Sequence, residues 1–261
     1  MTGTATNGGA PAVRIADLSK EYPGGVRALG GISFDVPRGE LTSIIGPSGC
    51  GKTTTLKIIA GLIDATSGRV EVDGTPVGEP GPDRAFVFQD FALMPWATVL
   101  RNVAFGLELR GQPRNEREET ARGYVDKVGL AGFADAYPHQ LSGGMRQRVG
   151  LARALAVDAD ILLMDEPFAS VDEQIRRKFQ ADLLRLLSEE NKTVIFVTHS
   201  IEEAVYLSDQ VVILTRGPAR VSKVVRPGVD RSGSSDSIRR SPAYLDWVEQ
   251  IWAELQRYLE E

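Results

Sequence analysis

Eight consecutive residues, Gly46-Pro47-Ser48-Gly49-Cys50-Gly51-Lys52-Thr53, follow the pattern G-x-x-x-x-G-K-[ST]. Backbone N–H groups of such a loop turn inward and bind the oxygens of a polyphosphate. A helix starting at the loop's end adds partial positive charge. Lys52 is expected to reach the outer phosphates and the Thr53 hydroxyl to ligate Mg2+. The nucleotide-binding run is read as Gly46 to Thr54. A turn that is merely rich in glycine is the competing explanation, and a strand before and a helix after argue against it. Cys50 is read as loop filler, since there is no second cysteine to resolve an oxidised thiol. A second group follows at Ile161-Leu162-Leu163-Met164-Asp165-Glu166. An apolar strand buries itself and delivers its last residues to the sheet's carboxyl edge, where the phosphate loop also lies. Asp165 is expected to hold Mg2+ and Glu166 to polarise the attacking water as general base. Alone, an apolar strand ending in Asp-Glu is equally explained by a helix cap; the phosphate loop is what favours chemistry. A third stretch, Leu141-Ser142-Gly143-Gly144-Met145-Arg146-Gln147-Arg148, suits a second anion site. Ser142 offers a hydroxyl and the glycines expose N–H groups at a helix start. Taken by itself, the same stretch is a plain Ser142 N-cap.

These residues need particular elements to position them. Val13–Leu18 and Arg27–Val36 alternate as strands, and Leu41–Ile45 reads as a fully buried parallel strand running into the glycine-rich loop. Lys52–Leu62 is predicted helical, and Arg69–Val72 and Arg84–Phe88 as strands. From Phe91 to about Ala156 the spacing is helical, with helices near Thr98–Arg110, Glu116–Val128 and Gly143–Ala156. Strands return at Ile161–Met164, Thr193–Val197 and Gln210–Thr215, with a helix over Glu173–Ser188 whose Ile175, Phe179, Leu183 and Leu186 share a face. The fold class is therefore α/β: a mostly parallel sheet with an N-terminal antiparallel β part and a helical subdomain inserted at about 91–156. Residues 1–12 are expected to be a disordered leader, 13–225 the main domain, 226–237 a linker and 238–261 an amphipathic helix. Its stripe is Tyr244, Val248, Ile251, Trp252, Leu255 and Leu259. That stripe lacks the basic polar face of a membrane anchor and is expected to pack on its own domain.

Composition excludes several classes. Charged residues make up 25% and apolar ones 42% of 261 residues, ordinary for a globular chain. The net charge of −5 gives no basic face for nucleic acid. The single cysteine points to a reducing compartment. No run approaches the length of apolar sequence that crosses a bilayer, and the N-terminus has no secretory signal pattern.

Leu141 to Met145 resembles the LSGGQ signature of the ABC ATPases, with Met145 where Gln is usual, and the sequence is similar to that family from Val13 to about Val225. The resemblance implies a P-loop NTPase core, ATP and Mg2+ as cofactors, and a head-to-tail homodimer. In such a dimer Leu141, Ser142, Gly143, Gly144 and Met145 complete the partner subunit's ATP site. It implies that Tyr22 stacks on adenine, that Gln89 touches Mg2+ or water as a Q-loop glutamine, and that His199 reads the γ-phosphate. Asp172, in Ser170-Val171-Asp172, matches the D-loop. With Glu166 as catalytic base, Gln89 and His199 complete the expected catalytic set, and Thr53, Gln89 and Asp165 the metal set. His139 is left as structural.

Gln89-Asp90-Phe91-Ala92-Leu93-Met94-Pro95-Trp96, Asn102 to Leu107, Tyr137-Pro138-His139-Gln140 and Thr198 to Ala204 resemble the importers for nitrate, sulfonates and taurine. This implies integral membrane permeases and an extracytoplasmic solute-binding protein as partners, and a place at the cytoplasmic face of the membrane. Phe91–Trp96 either receives a short helix of the permease or only packs the subdomain. The competing functions are a soluble ABC ATPase of repair or translation and a regulatory nucleotide-binding module without hydrolysis. The first usually carries a long insertion or a second ATPase domain, and the second needs a damaged Glu166 or His199.

Overall fold

A computed structural model describes residues 9–169 and 173–258, with backbone alone for 173–175. Four strands form an N-terminal antiparallel sheet: β1 (Val13–Tyr22), β2 (Val26–Val36), β4 (Ser67–Val72) and the two-residue β5 (Thr75–Pro76), in the order β2-β1-β4-β5. The main sheet adds β3 (Leu41–Ile45), β6 (Arg84–Val87), β7 (Ile161–Asp165), β8 (Thr193–Val197), β9 (Gln210–Leu214) and β10 (Val221–Val225). Its order is β10-β9-β3-β8-β7-β6. Five of these strands run parallel and β10 closes the edge antiparallel to β9. The α/β class holds, with the antiparallel part at the N-terminus.

The buried strands are apolar throughout because both faces of the main sheet are covered. On one face Ile44, Leu163, Ile195 and Leu214 pack with Leu56 and Ile59 of helix α1 (Lys52–Ile59) and with the N-terminal sheet. On the other, Ile45, Leu162, Met164, Phe196 and Ile213 meet the remaining helices. These include α2 (Val99–Leu109), α3 (Arg114–Lys127) and α4 (Gly143–Ala156), all inserted between β6 and β7. Helix α5 (Glu173–Glu190) buries Phe179, Leu183 and Leu186 as its spacing predicts, while Ile175 lies where only the backbone is described. Helix α6 (Ile201–Leu207) follows β8.

The C-terminal region departs from the expected linker and single helix. Val229 is buried and Arg231 pairs with Asp209 at 2.8 Å, so this polar stretch packs on the domain. Helix α7 (Ser235–Arg239) starts inside the expected linker because Ser234 accepts from the Ser237 N–H. A second start follows at Ser241, which accepts from the Tyr244 N–H, with Pro242 at the first position of α8 (Pro242–Gln256). Tyr244, Ile251 and Leu255 are buried as the stripe requires, but Trp252 is 48% exposed and Trp247 packs inward in its place. Leu259 lies outside the described residues. At the other end, residues 1–8 are likewise outside them. Ala12, expected in a leader, is fully buried; its N–H donates to Val36 O and its carbonyl accepts from Asp73 N. The expected helix Lys52–Leu62 ends at Ile59, and β10 is a strand that sequence patterning did not indicate.

Candidate nucleotide site

Ile44 pairs with Val197, Ile45 with Ile213 and Asp165 with Val197, so four strands end within about a residue of one another. Gly46, Glu166 and Thr198 are thereby brought to one carboxyl edge, beside the central strand where the order of the sheet reverses. The loop Gly46–Gly51 turns tightly there, and Cys50 N–H donates to Pro47 O at 3.2 Å. Gly51 caps α1 at φ 102°, and a Cβ on it would stand 2.7 Å from Leu29 Cδ2 and 3.1 Å from Ala28 O. Only glycine fits that backbone and that space. Pro47, Ser48 and Gly49 form the outer rim, while the Cys50 thiol is buried under the loop, where burial pushes it above its ordinary value.

Lys52 is 7% exposed and donates to the carbonyls of Gly46 and Pro47 at 2.9 and 3.1 Å, which aims its ammonium along the loop. Thr53 Oγ1 donates to Asp165 Oδ1 at 2.8 Å, joining residues 112 apart in sequence. Burial pushes the Asp165 carboxyl up, the Thr53 bond draws it down, and the neighbouring Glu166 charge raises it. A hydroxyl beside a carboxylate is a pair of hard oxygen donors, the kind Mg2+ takes together with phosphate oxygens rather than in a protein cage. No cluster of three or more His, Cys, Asp or Glu able to hold a metal occurs among the described residues.

Glu166 has a left-handed backbone at φ 46°, uncommon outside glycine, and is held by its N–H donating to Val197 O at 3.1 Å. Its Oε2 accepts from Gln89 Nε2 at 3.2 Å, and His199 Nδ1 lies 3.5 Å from the same oxygen. A carboxylate oriented on two sides beside the phosphate loop has the chemistry to accept a proton. Tyr22 is 37% exposed and its hydroxyl meets Thr54 Oγ1 at 3.2 Å, so β1 reaches α1 next to the loop.

The signature residues stand elsewhere. Ser142 caps α4 by accepting from Met145 N–H; Leu141 is buried, and Gly143, Gly144 and Met145 form the first turn. No hydrogen bond or ion pair joins them to the phosphate-loop group among the described residues. Asp172 lies outside the described residues. His139 stacks on Tyr137 with ring centroids 5.8 Å apart.

Sequence reasoning missed two supports. Arg153 of α4 donates to the carbonyls of Phe91 and Ala92 at 2.5 and 2.7 Å. Those two residues have φ 62° and 42°, an unusual pair of non-glycine left-handed residues. Phe91 itself is buried, while Trp96 of the same segment is 75% exposed. The second support is Glu203, in the first turn of α6 and 6% exposed, which accepts from Thr198 Oγ1 beside His199. Only its helical position could have signalled it.

The sequence profile of the ABC transporter family matches residues 29–169. An uncharacterized ABC transporter ATP-binding protein of Methanocaldococcus jannaschii is 53% identical over 242 residues, 92% of this chain and 89% of that one. A taurine import ATP-binding protein of Chromobacterium violaceum is 46% identical over 243 residues, covering 91% and 93% of the two chains. Among solved structures, a dimeric post-hydrolysis ATP-binding cassette bound to ADP and Pi superposes with TM-score 0.74 at 33% identity, over 82% of this chain and 98% of that one.

Proposed function

This chain belongs to the ABC transporter family of ATP-binding proteins and is an ATPase, and on that premise we propose that it is the motor subunit of an importer for a small solute of the taurine, sulfonate or nitrate type. Two copies face head to tail, each supplying the phosphate loop of one ATP site and Ser142, Gly143 and Gly144 of the other. The observation that carries the reading is the single Glu166 oxygen shared by Gln89 and His199 beside the Thr53–Asp165 pair.

Lys52 and the loop N–H groups bind the phosphates, Tyr22 faces the base, and Thr53, Asp165 and Gln89 would hold Mg2+. The ion would neutralise charge on the phosphate oxygens. Glu166 orients the water and takes its proton, and His199 contacts the γ-phosphate. Binding ATP bridges the two subunits, and hydrolysis removes the bridge. No helix among the described residues is long and apolar enough to cross a membrane. We therefore assign attachment at the cytoplasmic face to permease subunits, with Trp96 in the receiving surface and a solute-binding protein outside. The name of the taurine import relative and the segments Gln89 to Trp96 and Thr198 to Ala204 support the solute class.

The test is ATP turnover by the purified chain and by Glu166→Gln. Losing the general base is expected to cut turnover by about 10²-fold or more and to leave an ATP-bound species of doubled mass in gel filtration. A Glu166→Gln protein turning over at the parental rate refutes the assignment. In vesicles carrying the permeases and binding protein, taurine, sulfonates or nitrate are expected to stimulate turnover; stimulation only by an unrelated solute overturns the solute class.

A further inference from the structure

The loop that carries His199 is tied to the C-terminal helices by a chain of buried polar groups. Thr198 Oγ1, next to His199, donates to Glu203 Oε2 and accepts from the Ser200 N–H at 3.0 Å. The other oxygen of Glu203 accepts from Gln180 Nε2 of α5 at 3.1 Å, and Gln180 is itself 2% exposed. Gln180 Oε1 accepts from Arg239 Nη2 of α7 at 2.5 Å. Arg239 is fixed on three further sides. Its Nη1 donates to the Tyr244 hydroxyl at 3.3 Å, its Nε donates to Ser235 Oγ at 3.4 Å, and its guanidinium carbon lies 4.0 Å from the Tyr206 ring centroid. Tyr244 in turn donates to Glu202 O at 3.2 Å, so α8 grips the first turn of α6 directly.

The arrangement has a direction. Glu203 is a carboxylate taken out of water, which is costly unless every oxygen is satisfied. Its hydrogen-bond partners include Thr198 on the active-site side and Gln180 on the other, the Arg176 charge also favours its carboxylate, and an amide has one acceptor oxygen and one NH2 to orient. Arg239 and Glu203 fix that orientation together: the guanidinium only donates and takes the Gln180 oxygen toward α7, and the carboxylate only accepts and takes the NH2. The Gln180 NH2 is then left for Glu203, and Glu203 for Thr198. Each link constrains the next, and the last one, Arg239, stands in α7.

We infer that Arg239 is a positioning residue for hydrolysis: through Gln180, Glu203 and Thr198 it sets where the His199 imidazole stands relative to Glu166. The C-terminal helices are thereby a handle on the ATP site, and a partner that displaces α7 lowers turnover without touching nucleotide. The inference rests on the reading of His199 as a γ-phosphate contact.

The chain has two histidines, His139 and His199, so a histidine-labelled sample gives two imidazole signals, assigned with His139→Gln. Arg239→Gln is expected to shift the His199 signal and leave that of His139 in place. Turnover at saturating ATP is expected to fall about tenfold with KM for ATP within about twofold, because the phosphate loop is untouched. Arg239→Lys, which keeps one donor to Gln180, is expected to recover part of the loss. If Arg239→Gln does not fold, Tyr244→Phe, which removes one hydroxyl from the same cluster, is judged by the same two readings. Unchanged turnover, or lost turnover with the His199 signal unmoved, overturns the inference. A wild-type chain without ATP turnover would fail the functional reading instead, before any variant is compared.

Discussion

Glu203 is a buried residue whose charge the fold tolerates poorly. Burial pushes its carboxyl above the ordinary glutamate value of 4.5, and the Thr198 bond, then Arg176, His199 and Arg239, pull it partly back. A raised folded value means that the native state holds the proton more tightly than the unfolded one. Its stabilising share is therefore complete below about pH 4.5 and is lost as pH rises through the folded value. Glu203→Gln imitates the protonated form and keeps an oxygen for Thr198. Its melting temperature relative to wild type is expected to rise with pH across the carboxylate range; a difference that stays flat between pH 4.5 and 8 refutes the linkage. Residues of this kind separate what the sequence tells from what it hides. Gly46 to Thr53 is legible because eight neighbours make the whole cradle and its chemistry is local. The Glu203–Gln180–Arg239 chain spans 59 residues between its last two members and exists only once three helices meet.

Elements were legible to the extent that their burial pattern was local. Leu41–Ile45, Thr193–Val197 and Gly143–Ala156 have the predicted bounds because a fully buried strand or a capped amphipathic helix announces both its ends. Strand β10 is half exposed and short, so it had no apolar run to show. Helix α7 is a five-residue turn defined by a serine cap in a stretch whose composition looks like loop. The segment after β6 is held in an unfavourable backbone by Arg153 of α4 as well as by its own Phe88 and Asp90, and nothing in Phe91-Ala92 foretells the long-range part. Arg153→Met removes both donors to those carbonyls. It is expected to cost about 1–3 kcal/mol in denaturant unfolding and to speed amide hydrogen exchange across residues 91–96. Exchange there at the wild-type rate would mean that α4 does not hold the segment.

At the scale of the whole molecule, the separation of Ser142 from the phosphate-loop group is the feature with consequences. If each site is made by two subunits, Lys52→Ala and Ser142→Arg should each abolish turnover alone, since every homodimer then lacks one half of both sites. Mixed in equal amounts, half of the dimers are mixed pairs, and each has one intact site. Turnover is then expected to return to about a quarter of wild type under random two-fold pairing. No recovery on mixing would rule out a site shared across the dimer.

The sheet order carries one more implication. Strand β3 runs between β8 and β9, and its residue Ile45 pairs with Ile213, made 168 residues later. During synthesis the glycine loop leaves the ribosome long before the strands that flank it exist. Most of the chain must therefore emerge before that loop has a floor to stand on: its apolar strand waits for β8 to pair one edge and for β9 to pair the other.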